Sequence, residues 1–210
     1  MKVIEIIPIE YGKSVLSENM IFKGGEEDKF RPIVFMIYLI KTKNRLILAD
    51  AGCETMPGFD MRDFIGSIKA LEKTGIKPED ITDVIITHSH HDHIECVKYF
   101  KNASIYIQRD EYESGKGYFA EDMNIKLFDE QTLICPDIKV VKIGGHSKGS
   151  CIVEISDGEK RYIIAGDECF LRECLEKQIP TGSSYCLEKS REFIEKYGNG
   201  EYTVLLCHEK

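Results

Sequence analysis

The amino-acid sequence predicts an α/β protein, two β-sheets packed as a sandwich with helices outside, in four αββα layers. Three observations carry that prediction. Short β-branched apolar runs of strand length recur along the chain. Turn signals at Thr42-Lys43-Asn44 and Asp157-Gly158-Glu159 join neighbouring runs as hairpins. Histidines and aspartates stand at, or just past, the ends of apolar runs, as they do when a sheet gathers polar groups along one edge. A chain of 210 residues suffices for one such unit with a sizeable core. Residues 1–210 are therefore expected to form a single domain.

The elements follow in order. A strand over residues 3–9 opens the chain. Tyr11 to Arg31 is long and polar, with Gly24-Gly25 and Glu26-Glu27-Asp28, and is expected as a loop. Strands over 33–40 and 45–49 share the first hairpin turn. Cys53 to Asp60, carrying Met56, Pro57 and Phe59, is a second loop. A helix is expected over 63–74, leaving through the turn Lys77-Pro78-Glu79-Asp80. The β-branched run Val84-Ile85-Ile86-Thr87 marks a buried strand over 83–87, followed by a helix over 91–100. A strand over 104–108 leads to a helix over 108–114. Glu113 to Asn124, with Gly115, Gly117, Tyr118 and Phe119, is the third loop. Strands over 139–143, 150–155, 161–165 and 203–207 and helices over 170–177 and 186–197 complete the chain. Loops of this length often act as lids, so all three are candidates for substrate contact.

Five of the six histidines and two aspartates form one pattern. Its core is His88-Ser89-His90-His91-Asp92-His93, followed by Gly145-His146, Gly166-Asp167 and Cys207-His208. Alternation in extended chain sends His88 and His90 to one side and Ser89 to the other. As the chain turns into its helix, Asp92 and His93 swing back toward the same cavity. The pattern reads as a two-metal site. His88, His90 and His146 serve the first ion, and Asp92, His93 and His208 the second. Asp167 bridges both, because a carboxylate has two oxygens. His91 alternates away from the cluster and is read as a helix-start or outer residue. Imidazole with carboxylate suits zinc, and also iron or manganese. Two divalent ions sharing a carboxylate hold and acidify a water between them, which supplies a bridging hydroxide at neutral pH. With two aspartates and that hydroxide the centre keeps one formal positive charge, suited to polarising a carbonyl and stabilising an oxyanion. Asp92 at the helix start offsets the positive helix dipole there.

Charge and composition narrow the partners. The formal charge is −8 and no Lys/Arg run is present, so nucleic acid is a poor partner. No apolar run reaches membrane-spanning length, and the first residues lack the basic start and apolar core of a signal peptide. A cytoplasmic protein acting on a small molecule is expected; the oligomeric state is not legible. Eight cysteines include no C-x-x-C pair and are read as reduced, mostly buried thiols. Cys169, close to Asp167, is a candidate pocket residue, while Cys207 should face away from His208.

The string His88-x-His90-x-Asp92-His93, with Leu48-Ala49-Asp50-Ala51-Gly52 before it and His146, Asp167 and His208 after it, resembles the metallo-β-lactamase superfamily. The resemblance covers most of the chain and implies that family's fold. It also implies that Asp50 orients a metal-bound histidine from the outer shell, with a turn cap as the alternative. The chain departs from several branches. The commonest zinc β-lactamases have cysteine where Asp167 stands, and flavodiiron oxidoreductases have glutamate where His90 stands. Glyoxalase II carries a C-terminal helical region, whereas this sequence ends two residues after His208. The segment Ile107-Gln108-Arg109-Asp110-Glu111-Tyr112-Glu113 is similar to one in N-acyl homoserine lactonases, as are the apolar strand after Arg31-Pro32 and the region from Ile179-Pro180 to Glu195. Those enzymes place a tyrosine three residues after the bridging aspartate, to assist at the substrate carbonyl or leaving oxygen. Here that position is Phe170, which cannot donate a hydrogen bond.

The expected activity is hydrolysis of a lactone, ester or thioester, with Asp92 passing a proton to the leaving group and Asp167 bridging the metals. Two alternatives stand beside it. One is a mononuclear iron oxidoreductase resembling persulfide dioxygenases, using His88, His146 and Asp167. The other is a metal-bearing binding protein without turnover.

Overall fold

The structure, a computed structural model, describes residues 4–210. Val3, the first residue of the opening predicted strand, lies outside the described residues. The chain divides into two compact units: residues up to Lys13 with Phe35–Asp129, and Ser14–Val34 with Glu130–Lys210. Two sheets and short helices make up these units.

The first sheet runs in the order β1 (Glu5–Ser17), β2 (Phe30–Lys41), β3 (Leu46–Ala49), β4 (Asp83–Ile86), β5 (Ser104–Gln108) and β6 (Asn124–Phe128). β2 and β3 are antiparallel, while β3, β4, β5 and β6 run parallel. Strands inside a parallel sheet are covered on both faces and read as unbroken apolar runs. Ile47, Leu48, Val84, Ile85, Ile86, Ile105 and Ile107 are accordingly fully buried. Each stabilises the fold by about 1.5–3 kcal/mol through apolar burial. The parallel register sets Ala49 beside Ile85, so the chain leaves β3 and β4 at the same edge.

The predicted helices of this unit are shorter in the structure. Asp63 and Gly66 adopt φ of 49° and 79°, and that left-handed backbone delays α2 until Ser67–Glu72. The stretch predicted as one helix over 91–100 is a single α-turn, α3 (His91–Ile94), followed by 3₁₀ turns over Glu95–Tyr99. α4 (Arg109–Ser114) begins after Gln108, whose side-chain oxygen caps the Asp110 and Glu111 N–H groups at 2.5 and 3.3 Å. β6 is not among the predicted strands, although Asn124-Ile125-Lys126-Leu127 alternates polar and apolar; it is an edge strand whose side chains are mostly exposed.

The second sheet runs β11 (Thr203–Leu205), β10 (Arg161–Ile164), β9 (Cys151–Ser156), β8 (Ile138–Lys142) and β7 (Gln131–Cys135). β10 and β11 are parallel and the other pairs antiparallel. Ile164 lies opposite Leu205, and Asp167 and His208 each follow their strand by the same three residues. The register thus delivers both side chains to one edge of this sheet. β7, an edge strand with Leu133 exposed, is not among the predicted strands.

The expected loop from Tyr11 to Arg31 is corrected in its first third. β1 continues through residues 11–17, where buried Tyr11, Ser14 and Leu16 are interleaved with polar Lys13 and Ser17 that obscure the pattern. It then enters α1 (Glu18–Ile21). The Met20 carbonyl accepts from Ser183 N at 3.0 Å and Thr181 Oγ1 at 3.2 Å, which ties α1 to the segment before α6 (Leu187–Tyr197). α5 (Arg172–Glu176) starts two residues later than predicted because Leu171 is extended. Among the described residues no helix is long and apolar enough to cross a membrane.

Candidate metal centre

The first unit supplies five polar groups from two strand exits. Asp50 leaves β3 with φ of 63° and its N–H donates to Ile85 O at 2.8 Å. Its carboxylate then reaches across to the exit of β4. Oδ1 accepts Thr87 N at 2.8 Å, and Oδ2 accepts Thr87 Oγ1 at 3.0 Å and His93 Nδ1 at 2.8 Å. Asp50 is fully buried, and its carboxylate bonds are long-range, to Thr87 and His93 rather than to its own turn. Because Thr87 Oγ1 donates to Asp50, it accepts from His88 Nδ1, 3.1 Å away. These bonds fix the tautomers: His88 and His93 each commit Nδ1 to the protein and present Nε2.

His88 Nε2 meets His90 Nδ1 at 3.0 Å, and His93 Nε2 meets Asp92 Oδ2 at 3.4 Å. Two nitrogens about 2.05 Å from one tetrahedral ion stand about 3.3 Å apart. Both separations match that edge length. Ser89 turns the other way, and its N–H and hydroxyl both donate to buried Glu111 Oε2 at 2.8 and 2.7 Å. His91 also leaves the cluster. Its Nδ1 faces Tyr118 OH at 3.0 Å and its Nε2 faces Thr55 O at 2.9 Å, so it links the loop after Cys53 to the loop after Glu113. Tyr11 OH donates to Asp92 O at 2.8 Å and holds the start of α3.

The second unit supplies His146, Asp167 and His208, all buried. His208 Nδ1 donates to Val34 O at 3.0 Å, leaving Nε2 at 3.0 Å from Asp167 Oδ1. His146 Nδ1 faces Ser183 Oγ at 3.5 Å, and its Nε2 is 3.5 Å from Asp167 Oδ2. Each carboxylate oxygen of Asp167 therefore addresses a different imidazole. Phe170 stacks on His208 at 5.0 Å and 17° and meets His146 edge-on at 5.9 Å. It is a packing surface for two rings and offers no hydroxyl. Tyr185 is 66% exposed, and its backbone N–H donates to His146 O at 3.1 Å.

All seven predicted ligands are among the described residues able to hold a metal ion. The donor set fits a divalent metal on two grounds: every lone-pair separation given is near a coordination edge, and His88, His93 and His208 each have the remote nitrogen anchored by protein. Anchoring of that kind orients a ligand ring before the ion arrives. The sequence reading did not find Thr87, Glu111, Glu168, Ser183 or the Val34 carbonyl as partners of this set. Glu168 is the most unusual of them. Burial lifts its carboxyl to about 7, against hydrogen bonds from Ser150, His146 and Gly145 that lower it. The eight cysteines are all free thiols. Burial and neighbouring Asp92 push Cys53 up to about 12, so that thiol stays neutral. Cys169 is fully buried and donates to Leu171 O at 3.2 Å.

Residues 36–205 match the profile of the metallo-beta-lactamase superfamily. The chain belongs to that superfamily. It is 31% identical over 150 residues to a probable metallo-hydrolase of Methanocaldococcus jannaschii, covering 71% of this chain and 66% of that protein. It is 27% identical over 170 residues to an N-acyl homoserine lactonase of Bacillus cereus, covering 68% and 67%. Among solved structures, a dizinc quorum-quenching lactonase with N-hexanoyl-L-homoserine bound superposes with a TM-score of 0.79, at 20% identity, over 100% of this chain and 90% of the other. The fold is thus the metallo-β-lactamase fold, an α/β arrangement of two mixed sheets with helices.

Proposed function

We propose that this chain is a dinuclear metal-dependent hydrolase that opens a lactone, ester or thioester of a small molecule. The carrying observation is the set of ligand pairs at 3.0–3.5 Å, His88–His90, Asp92–His93, His146–Asp167 and Asp167–His208. His88, His90 and His146 would hold one cation and Asp92, His93 and His208 the other, with Asp167 shared between them. When bound, the two cations supply Lewis acidity and bring the pKa of water down to about 7. Zinc suits the nitrogen-rich set, and the dizinc centre of the structural relative supports it.

The chain's own residues do the rest. His88, His93 and His208 keep fixed tautomers through Thr87, Asp50 and Val34, so little reorganisation accompanies loading. Asp92 is pinned through its carbonyl by Tyr11 while its carboxylate stays 11% exposed, which suits a group passing a proton to a departing atom. Phe170 contributes apolar surface in place of a phenol, so donation to the leaving group falls to Asp92. Fully metallated protein should turn over members of a panel of lactones and thioesters, and His90→Ala should not. Equal turnover by His90→Ala, or none by metallated wild type, would sink this reading.

A further inference from the structure

We propose that Glu168 is a positioning residue: its carboxylate clamps the His146 turn to the turn that carries Asp167, so that both ligands meet one cation in register. The inference rests on reading His146 and Asp167 as ligands. Glu168 is 0% exposed, and among the described residues no lysine or arginine pairs with it. A buried acid without a cation is costly, and one that persists needs strong donors. Oε1 has three. It accepts Gly145 N at 3.1 Å, His146 N at 3.2 Å and Ser150 Oγ at 2.5 Å.

The other faces of the same turn are also held. The Gly145 carbonyl accepts Cys186 N at 2.9 Å and the His146 carbonyl accepts Tyr185 N at 3.1 Å, both from the entry to α6. The N–H and the carbonyl of His146 are thus each anchored, on the Glu168 and Tyr185 sides respectively. The fit is close enough to restrict residue 145. A Cβ there would lie 2.3 Å from Glu168 Oε2 and 2.6 Å from Ser190 Oγ, so only glycine leaves the carboxylate in place. Glu168 is the next residue after Asp167 on one 3₁₀ turn, Gly166–Glu168. A shift of its side chain therefore moves one ligand relative to the other.

The test uses the full chain as wild type, Glu168→Ala, Glu168→Gln and Gly145→Ala. Zinc affinity is read by competition with a chromophoric chelator, ligand geometry by the visible bands of the cobalt(II) form, and scaffold stability by the Tm of metal-free protein. Glu168→Ala should bind zinc about 10–100-fold more weakly, the range for groups that orient ligands, with altered cobalt bands. Glu168→Gln keeps the accepting oxygen and should stay within a few-fold of wild type. Gly145→Ala, which displaces the carboxylate, should resemble Glu168→Ala. A lowered metal-free Tm with unchanged affinity and unchanged bands would reduce Glu168 to scaffold and overturn the proposal. Glutamine as weak as alanine would assign the effect to charge and overturn it too. Failure of wild type to bind zinc at all would instead remove the ligand reading beneath it.

Discussion

The two units present their proposed ligands in opposite ways. The first takes four from six consecutive residues, His88 to His93, and backs them with Asp50 and Glu111, which arrive from neighbouring strand exits. The second takes three ligands one at a time from separate turns and backs them with Val34, Ser183 and Glu168. The first is a local motif on the parallel strands β3 to β6. The second depends on long-range closure: Val34 holds His208, while Ser183 and Glu168 both hold the His146 turn. Damage should therefore spread differently: one broken anchor in the first unit disturbs several ligands, and in the second unit only one or two.

The largest effect tests whether both halves answer to metal. Removing metal with a chelator should take hydrolysis to the buffer background and lower Tm. A ligand present at a thousand times its Kd contributes about 4 kcal/mol to stability. A chelated sample with an unchanged Tm would separate the fold from the ions.

Next comes the anchor shared within the first unit. Asp50→Ala leaves the buried Thr87 N–H and the His93 ring without their acceptor, at about 1–3 kcal/mol for each orphaned group. Zinc affinity should fall about 10–100-fold. Denaturant unfolding and chelator competition check the two parts. A loss confined to stability would reduce Asp50 to scaffold.

Glu111→Ala should be milder at the site. It orphans Ser89 N–H at about 1–3 kcal/mol, but Ser89 points away from the ligands, so metal affinity should change less than in Asp50→Ala. A larger affinity loss in Glu111→Ala than in Asp50→Ala would reverse the ranking of these supports.

The smallest effect lies away from the centre, in the second sheet. Burial raises Glu154, but Lys139 and the Tyr197 hydroxyl outweigh it and hold the carboxyl below its usual value. A depressed carboxylate contributes stability that is complete above the unfolded pKa near 4.5 and lost as pH falls through the lower folded value. Glu154→Gln should therefore lose stability at neutral pH and show a flatter acid limb between about pH 5 and the folded pKa. Parallel acid limbs for wild type and variant would contradict this.

This contrast also explains what sequence could and could not reveal. The strands under the first centre were legible because a parallel sheet buries both faces and leaves unbroken runs such as Val84-Ile85-Ile86. The proposed ligands of the first unit stand out in sequence because alternation and a turn fix side-chain direction within six residues. β6 and β7 were not predicted; both are edge strands with mixed side chains. The length of β1 was masked by Lys13, Ser14 and Ser17. Glu168 was invisible because an acid beside another acid looks like solvated surface, and its donors come from residues 145–150. Anchors distant in sequence leave no local signature, even when the ligands they hold are plain.

Metal content per chain, with anomalous scattering to locate each ion, tests the central claim most directly. Protein purified without a metal-binding tag and supplied with zinc should hold two equivalents, one served by His88 and His90 and the other by Asp92 and His93. A sample that stays at one equivalent or none under zinc excess would contradict a dinuclear centre.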